Sequence, residues 1–336
     1  MDKRIVRLLI TIPCLLATGI FFAREAAAWV GAVDFRGKEI RLQRPAERII
    51  CLMESALTGL YMLNAEKRIV GISQNVYLGN TFHYYAKMDK RIRNKELPAP
   101  GNWDFVNIES VVALKPDLVV IWSEQTESIA ALERHRIPVF GVFIRKKEDI
   151  FREMHGLGEL TGTAPRAGYL ITYVREEMNR LQGRISSIPE NEKPKIYYMW
   201  AQGNLETSCG ESTVNDLIET AGGRNVCRDI PKEHLVVNLE KILAWNPEMI
   251  VMWHNERKDP GDILQDSQWA RIQAVQNKRV HEFPEVFLCD LWTLKFFYAS
   301  LLTAKWSHPG RFEDVDLDRE KKRMIKVLYD GKMDGI

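Results

Sequence analysis

Hydrophobic and polar positions recur in the same order at two places in the chain. From Ile108 to Ile121 the order is aliphatic, acidic, two aliphatics, Ala, Pro, acidic and an aliphatic run, and Leu239 to Met252 repeats it. Each copy predicts a short amphipathic helix that ends before proline and leads directly into a buried strand. Two such units, one in each half of the chain, indicate two related α/β lobes with a cleft that suits a small molecule.

Alternation and short apolar runs predict the remaining elements of the first half. These are a hairpin at 33–42, strands at 49–52, 69–72 and 139–142, and helices at 54–63 and 129–136. Ser55 is expected to be the N-cap of the first helix. From Ser73 to Asn107 the pattern is lost, and prolines with aromatic and basic residues predict one long loop. Loops of this length inside a domain are often functional.

The second half begins after a long helical pattern at 166–188 and a polar, proline-bounded break at 189–194. The second half then repeats the order of strands and helices that the first half shows. The expected elements are a strand at 195–200, a helix with Ser212 as its N-cap, a strand at 280–283, and helices at 291–306 and 314–329.

The first 28 residues indicate export. Three basic residues, Lys3, Arg4 and Arg7, precede an uncharged apolar run from Leu8 to Phe22, and the small residues 26–28 offer a cleavage site. The apolar run is short for a membrane span. We therefore expect a cleaved signal peptide and a soluble exported protein that is located, in a Gram-negative cell, in the periplasm.

The amino-acid composition limits the kinds of partner and site that the protein can have. The formal net charge is +2, and part of it belongs to the removable signal, so the chain carries no basic excess for nucleic-acid binding. The cysteines beyond the signal are Cys51, Cys209, Cys227 and Cys289, and none forms a CxxC pair. In an oxidising compartment Cys209 and Cys227 could pair, but four cysteines allow three connectivities, which the sequence leaves open.

Several short motifs, spread over nearly all of the mature chain, carry a family resemblance. In chain order they are Asp34…Gly37, Pro45-x-x-Arg48, Asn107-Ile108-Glu109 leading to Pro116-Asp117, Leu217-Ile218-Glu219-x-Ala221-Gly222-Gly223, Trp245-Asn246-Pro247-Glu248 and His308-Pro309-x-x-Phe312. In their order and spacing the chain resembles the periplasmic substrate-binding proteins of ABC importers for iron siderophores, haem and cobalamin.

The resemblance implies an α/β fold of two similar lobes. Each lobe has a central, mostly parallel sheet flanked by helices, one long rigid helix joins the lobes, and the ligand cleft lies between them. The implied organisation is a signal peptide at 1–28, an N-terminal lobe at 29–160, a connecting helix at 161–190 and a C-terminal lobe at 191–336.

The resemblance also implies a partner. Members of this family dock on a permease dimer in the inner membrane through one glutamate on each lobe, and the matching positions are Glu109 and Glu219. Carboxylates facing arginines give orientation and salt-sensitive association. Without the resemblance both would be interpreted as solvated helix carboxylates. Where many relatives carry a Thr-Glu pair in the first helix, this chain has Leu57-Thr58. The protein is expected to act as a monomer.

The ligand should contact the carboxyl ends of strands and the helix N-termini of both lobes. The segments concerned are Met53-Glu54-Ser55, 77–105, Trp122-Ser123, 200–212, Trp253-His254 and 287–292. The predicted ligand-binding residues are Glu54, Tyr84, Tyr85, Arg91, Trp103, Trp200, His254 and Trp292. Asp290 and Lys295, which flank Trp292, are further candidates.

The predicted function is therefore binding and delivery, with no catalysis and no resident cofactor. A ferric siderophore is the first choice of ligand, and cobalamin follows because a cobalamin-binding relative places a tryptophan where Trp103 stands. Haem and oxyanions such as molybdate or tungstate stay open, the latter because of the basic loop. Whether side chains ligate the metal is left open. An exported hydrolase is the alternative of another class, with Cys209 near a helix N-terminus as its nucleophile.

Overall fold

The computed structural model describes residues 29–79, 81–254 and 258–333, so the predicted signal peptide lies outside the described residues. The strands are β1 (Val30–Val33), β2 (Glu39–Leu42), β3 (Ile49–Cys51), β4 (Ile69–Ile72), β5 (Leu118–Trp122), β6 (Val139–Val142), β7 (Lys195–Met199), β8 (Glu206–Thr207), β9 (Arg224–Asn225), β10 (Leu235–Val236), β11 (Met249–Met252) and β12 (Val280–Glu282).

The helices alternate with these strands along the chain. They are α1 (Glu54–Met62), α2 (Asn75–Leu78), α3 (Phe82–Met88), α4 (Lys90–Arg93), α5 (Ile108–Ala113), α6 (Thr126–Arg134), α7 (Lys147–Leu160), α8 (Ala164–Ile185), α9 (Thr213–Thr220), α10 (Leu239–Trp245), α11 (Pro260–Gln265), α12 (Gln273–Gln276), α13 (Phe296–Ser307) and α14 (Leu317–Tyr329). Single-turn 3-10 helices lie at Glu66–Arg68, Glu190–Glu192 and Pro309–Arg311.

Two four-stranded sheets form the centres of the two lobes. The first has the spatial order β4-β3-β5-β6 and the second the order β9-β7-β11-β12, and all neighbours within each sheet are parallel. In each sheet the strand that comes first along the chain therefore lies between the second and the third. The predicted fold of two similar α/β lobes is confirmed.

The repeated sequence units occupy the same place in the two lobes. The side chains of Asn107 and Asn238 cap α5 and α10, and each accepts a hydrogen bond from the backbone three residues on. Both units leave the helix through a left-handed residue just before the proline, Lys115 with φ of 48° and Asn246 with φ of 45°. Proline then stops the helix, and the chain enters the third strand of its sheet.

The acidic residue after each proline joins its unit to the first strand of the same sheet. The carboxylate of Asp117 accepts a hydrogen bond from the backbone N–H of Arg48 at 2.8 Å, immediately before β3. In the second lobe the carboxylate of Glu248 accepts one from the backbone N–H of Lys195 at 2.8 Å, the first residue of β7. The likeness of the two sequence segments thus reflects a shared structural role.

The long helix α8 links the two sheets, and the chain later returns to the first lobe. Arg166 at the start of α8 donates hydrogen bonds to the carbonyls of Val327 and Leu328 on α14. Side chains of α1 and α14 belong to one core cluster that extends through both lobes. The lobe boundaries remain predictions. Across the described ranges, no helix is both long and apolar enough to cross a bilayer.

Three local predictions are wrong. The segment 73–107 is not one loop, because it folds into the short helices α2, α3 and α4. Ser55 is not an N-cap: Met53 occupies that position without a side-chain bond, and Ser55 lies within α1. Helix α13 begins at Phe296 and not at Leu291. The prediction for Ser212 is confirmed, since its hydroxyl accepts a hydrogen bond from the N–H of Asn215 at 3.1 Å.

One of the cysteine pairings that the sequence left open is present. Cys209 and Cys227 form a disulfide across 18 residues of chain, joining the segment after β8 to the segment after β9. Cys51 and Cys289 are free and buried.

Candidate functional site between the lobes

A cavity of about 550 Å³ lies between the two lobes. The first lobe contributes Met53, Glu54, Ser55, Thr58, Thr81, Tyr85, Trp103, Trp122, Phe143 and Ile144, and the second contributes Glu233, Trp253, Val286, Phe287, Asp290 and Trp292. Many of these residues follow directly on strands: β3, β5 and β6 in the first lobe and β11 in the second. The cavity therefore lies at the carboxyl edges of the parallel sheets, where α/β folds place their ligands.

The wall from the first lobe is a row of aromatic rings. Trp122 is the last residue of β5, and its ring packs edge to face against Trp103 at 5.9 Å and against Phe143 at 6.0 Å between centroids. Trp103 is 46% exposed although it is a large apolar residue. An exposed aromatic side chain at a cavity wall supplies a broad binding face, since its rigid ring loses little entropy when it is covered.

The wall from the second lobe is also aromatic, and it is two layers deep. The ring of Trp292 lies 5.8 Å from that of Trp253, the residue directly after β11. Behind it, Trp200 stacks on Trp292 at 6.0 Å and donates a hydrogen bond from its indole N–H to Ser208 Oγ at 2.8 Å. Ser208 adjoins the disulfide at Cys209. The disulfide therefore supports the layer that holds the cavity wall in place.

The ionisable lining groups are mostly carboxyls. Glu54, Glu233 and Asp290 all contribute, and among the described lining residues there is no lysine, arginine or histidine. Burial raises the pKa of Glu54, and the hydroxyl of Ser73, which donates to Glu54 Oε1, opposes the rise. Burial also raises the pKa of Asp290. The part of the cavity that Glu54, Glu233 and Asp290 line, here called the cavity floor, is therefore acidic.

A second layer of charged groups lies beneath this floor. Lys295 is completely buried, with its Nζ 3.9 Å from Asp290 Oδ2 and 3.6 Å from the ring centroid of Phe287. Burial lowers the pKa of Lys295 to about 8, against the effect of Asp290. The carboxyl of Glu153 accepts a hydrogen bond from Ser55 Oγ at 3.2 Å, and burial raises its pKa to about 8.

Four of the eight predicted ligand-binding residues line the cavity: Glu54, Tyr85, Trp103 and Trp292. Glu54 opens α1, so its carboxyl stands at the carboxyl edge of the first sheet. The hydroxyl of Tyr85 lies 2.7 Å from Thr58 Oγ1, which also lines the cavity, and burial raises the pKa of this tyrosine.

The other four predicted residues lie outside the cavity lining. Tyr84 stacks on Phe287 at 4.3 Å, one position along α3 from Tyr85 and hence on another side of that helix. Trp200 forms the layer behind Trp292. His254 points to Glu282, with its Nδ1 3.5 Å from the carboxylate.

Arg91 is held away from the cavity by its own neighbourhood. Its guanidinium makes hydrogen bonds to the carboxylate of Asp89, the N-cap of α4, and to the carbonyls of Glu66 and Ile69. The structure therefore gives no support to the idea that Arg91 contacts an anionic ligand. In the described part of the chain, no three His, Cys, Asp or Glu side chains are grouped so as to hold a metal ion.

Several lining residues were missed, or were predicted only as parts of a segment. Trp122 and Trp253 could have been singled out, because each stands at the carboxyl end of a predicted strand. Glu233 gave no signal, since it follows no motif and reaches the cavity from the segment between the disulfide and β10. Phe287 was predicted only as the first residue of the segment 287–292, whose irregular course after β12 the sequence does not reveal, whereas Asp290 was named as a further candidate and does line the cavity.

A family comparison agrees with this architecture. The model of a family described as periplasmic binding protein matches residues 49–286. The chain belongs to the periplasmic binding protein family. This match confirms the predicted resemblance to the substrate-binding proteins of ABC importers.

Individual relatives of this binding protein differ in their ligands. The molybdate-binding protein MolA of Haemophilus influenzae is 26% identical over 95% of both chains. Its molybdate-bound structure, described as that of the cognate periplasmic binding protein of an ABC transporter, has 24% identity and a TM-score of 0.78, covering 89% of this chain and 98% of its own. A vitamin B12-binding protein of Vibrio parahaemolyticus is 21% identical over 70% of this chain and 80% of its own.

The two predicted docking glutamates of this binding protein are both exposed. Glu109 lies in the first turn of α5, and Glu219 near the end of α9. Helix α9 is also bonded to the first lobe, because the carboxylate of Asp216 accepts a hydrogen bond from the backbone N–H of Lys147 at 2.8 Å. One of the two predicted docking residues, Glu219, is therefore carried by a helix that bridges the lobes.

A second cavity of the binding protein, of about 650 Å³, belongs to the first lobe alone. The β1–β2 hairpin and α7 line it, with Trp29, Arg152 and His155 among its residues. It lacks the contribution from both lobes that a cleft ligand needs.

Proposed function

We propose that this chain is the exported substrate-binding protein of an ABC importer, and that it captures a metal chelate between its lobes and delivers it to a membrane permease. The signal peptide at 1–28 would direct export. A ferric siderophore is the proposed ligand. The observation that carries the proposal is the aromatic cavity at the carboxyl edges of both sheets.

The cavity's walls favour a ligand with an extended organic surface. Tryptophans from both lobes face it, and the indole wall of the second lobe is supported from behind by Trp200. Such walls bury a large apolar area and pack against conjugated or methylene-rich surfaces. A chelate surrounds its metal with groups of this kind and brings its own metal ligands, so the protein need not supply a coordination sphere.

Molybdate is the second candidate, because MolA is similar to this chain over nearly its whole length. A small dianion needs hydrogen-bond donors and positive charge around it. Among the described lining residues the charged groups are three carboxyls, and Arg91 is bound to Asp89. The chemistry of the cavity thus favours a chelate over a bare oxyanion.

Tryptophan fluorescence of residues 29–336 tests the proposal. The protein is titrated with ferric hydroxamate and catecholate siderophores, cyanocobalamin, haem and molybdate. We expect saturable quenching by a chelate at micromolar or lower concentration. Saturation by molybdate alone would select the second candidate, and a folded protein that responds to none would refute both.

Two tryptophan variants locate the binding. Trp103→Ala removes an exposed ring from the cavity wall, and we expect affinity to fall about tenfold, the scale of one aromatic contact. Trp29→Ala is the matched control, because Trp29 is also exposed but lines the first-lobe cavity. Equal effects of the two variants would contradict binding between the lobes.

Docking through Glu109 and Glu219 is part of the same proposal. Their exposure on different lobes supports it, since a permease dimer can meet one carboxylate with each subunit. Both side chains lie outside the cavity lining, so docking and ligand binding should be separable.

A further inference from the structure

The charge of the cavity floor carries an inference about the ligand, and this inference rests on the proposed function. Asp290 Oδ1 accepts a hydrogen bond from the backbone N–H of Trp292 at 2.9 Å, and its Oδ2 is directed toward Lys295. The separation of 3.9 Å exceeds a hydrogen bond, and the ammonium of Lys295 has no hydrogen-bond partner among the described residues. Neither group satisfies the other.

Two of the three lining carboxyls have a cation nearby. Asp290 faces buried Lys295, and the positive charge of Arg145, which lies over the ring of Phe143 at 4.3 Å, acts on Glu233. The third lining carboxyl has no such cation among the described residues.

That remaining carboxyl is Glu54. The neutral side chains of Ser73 and Asn75 act on it as hydrogen-bond donors, and no lysine, arginine or histidine of the described residues forms an ion pair with it. Its carboxyl stands within the aromatic walls, and burial there disfavours the charged form. A buried charge of this kind is costly unless a partner of opposite charge or several donors reach it.

We propose that the cavity floor is a subsite for a positively charged, hydrogen-bond-donating group of the ligand, held by Glu54 and Asp290, and that the chelate carried by this protein is cationic or neutral. A primary ammonium on a siderophore arm has this chemistry. The tryptophan rings at the walls favour the same charge, because a cation is attracted to the face of an indole. An anionic catecholate complex or an oxyanion would meet Glu54 as a like charge.

A series of ligands with one iron core tests this subsite. Ferrioxamine B ends in a free ammonium, its N-acetyl derivative is neutral there, and its N-succinyl derivative ends in a carboxylate. Titration calorimetry of residues 29–336 should show the ammonium form binding at least about tenfold more tightly than the succinyl form, the scale of one charge-assisted hydrogen bond. Equal affinities, or preference for the succinyl form, would overturn the inference.

Variants of the cavity floor test whether its carboxyls cause the preference for the ammonium form. Glu54→Gln should weaken the ammonium form about tenfold and change the acetyl form by less than about threefold. Asp290→Asn is the second variant, and Glu54→Gln carries the test alone if the loss of Asp290 beside buried Lys295 prevents folding. Glu127→Gln, which changes an exposed carboxylate on α6, is the matched control and should alter neither affinity.

The remaining outcomes separate this inference from the proposed function. If cyanocobalamin is the chelate that binds, Glu54→Gln should weaken it through its amide donors, and an unchanged affinity would overturn the subsite. Tightest binding of haem, of an anionic siderophore or of molybdate would overturn the subsite while leaving a binding protein. Silence toward every probe by a folded protein would refute the proposed function, and the subsite with it.

Discussion

Replacing Glu153 by glutamine should change how the stability of this protein depends on pH. Glu153 lies on α7 with its side chain almost fully buried, and Ser55 Oγ donates a hydrogen bond to its carboxyl at 3.2 Å. Burial, with a smaller contribution from the charge of Asp290, raises its pKa from the ordinary 4.5 to about 8. The folded protein therefore keeps this carboxyl protonated at neutral pH.

The sign and size of the effect follow from proton linkage. Between pH 4.5 and about 8 the folded state holds a proton at Glu153 that the unfolded state has released, so the free energy of unfolding falls as pH rises through this window. One pKa unit corresponds to about 1.4 kcal/mol, so the full loss is at most roughly 5 kcal/mol. Glutamine has the same shape, can still accept from Ser55 and does not ionise.

Urea unfolding of the wild type and of Glu153→Gln at pH 5, 6.5, 8 and 8.5 measures this difference. We expect similar stability at pH 5 and a variant that is more stable by a few kcal/mol at pH 8.5. Glu148→Gln, at an exposed position on the same helix, is the control and should follow the wild type. A difference in stability between wild type and Glu153→Gln that stays constant across the pH range would show that the pKa of Glu153 is not raised in the folded protein.

Three further predictions concern the support of the cleft and its partner. Replacing Cys209 and Cys227 by serine should lower the free energy of unfolding by about 3 kcal/mol, measured by calorimetry, because the disulfide closes a loop of 18 residues. An unchanged melting temperature would contradict this. Phe287→Ala should lower the free energy of unfolding, measured with urea, by about 3–5 kcal/mol, since the ring packs between the lobes. A loss below about 1 kcal/mol would be inconsistent with that packing. Glu109→Ala with Glu219→Ala should abolish ligand-dependent binding to permease vesicles with ligand affinity retained, and normal vesicle binding would refute the docking assignment.

Much of the fold could be predicted because both lobes contain the same helix–proline–strand unit. The Pro-Asp and Pro-Glu pairs after α5 and α10 were visible as a repeat, and each acidic residue caps the first strand of its sheet. The helices between Ser73 and Asn107 escaped prediction for a physical reason. They are only one to two turns long, and tertiary packing holds them where sequence periodicity is too short to measure.

The site could be predicted only in part. Trp103 and Glu54 follow features that the sequence displays, a glycine-containing turn and the start of a helix. The choice between Tyr84 and Tyr85 depends on the rotation of α3, which no short pattern determines. Arg91 lies outside the cavity lining because its local partner Asp89, two residues away, holds its guanidinium, and its contact with a ligand stays a prediction.

The position of the bound metal shows whether the chelate is held between the two lobes. The protein is crystallised with the chelate that quenches its fluorescence most strongly, and anomalous scattering at the absorption edge of that metal locates the ion. We expect one strong peak between the lobes, with the chelate in contact with Trp103 and Trp292. A peak in the first-lobe cavity beside Trp29, with the interlobe cavity free of chelate, would contradict it.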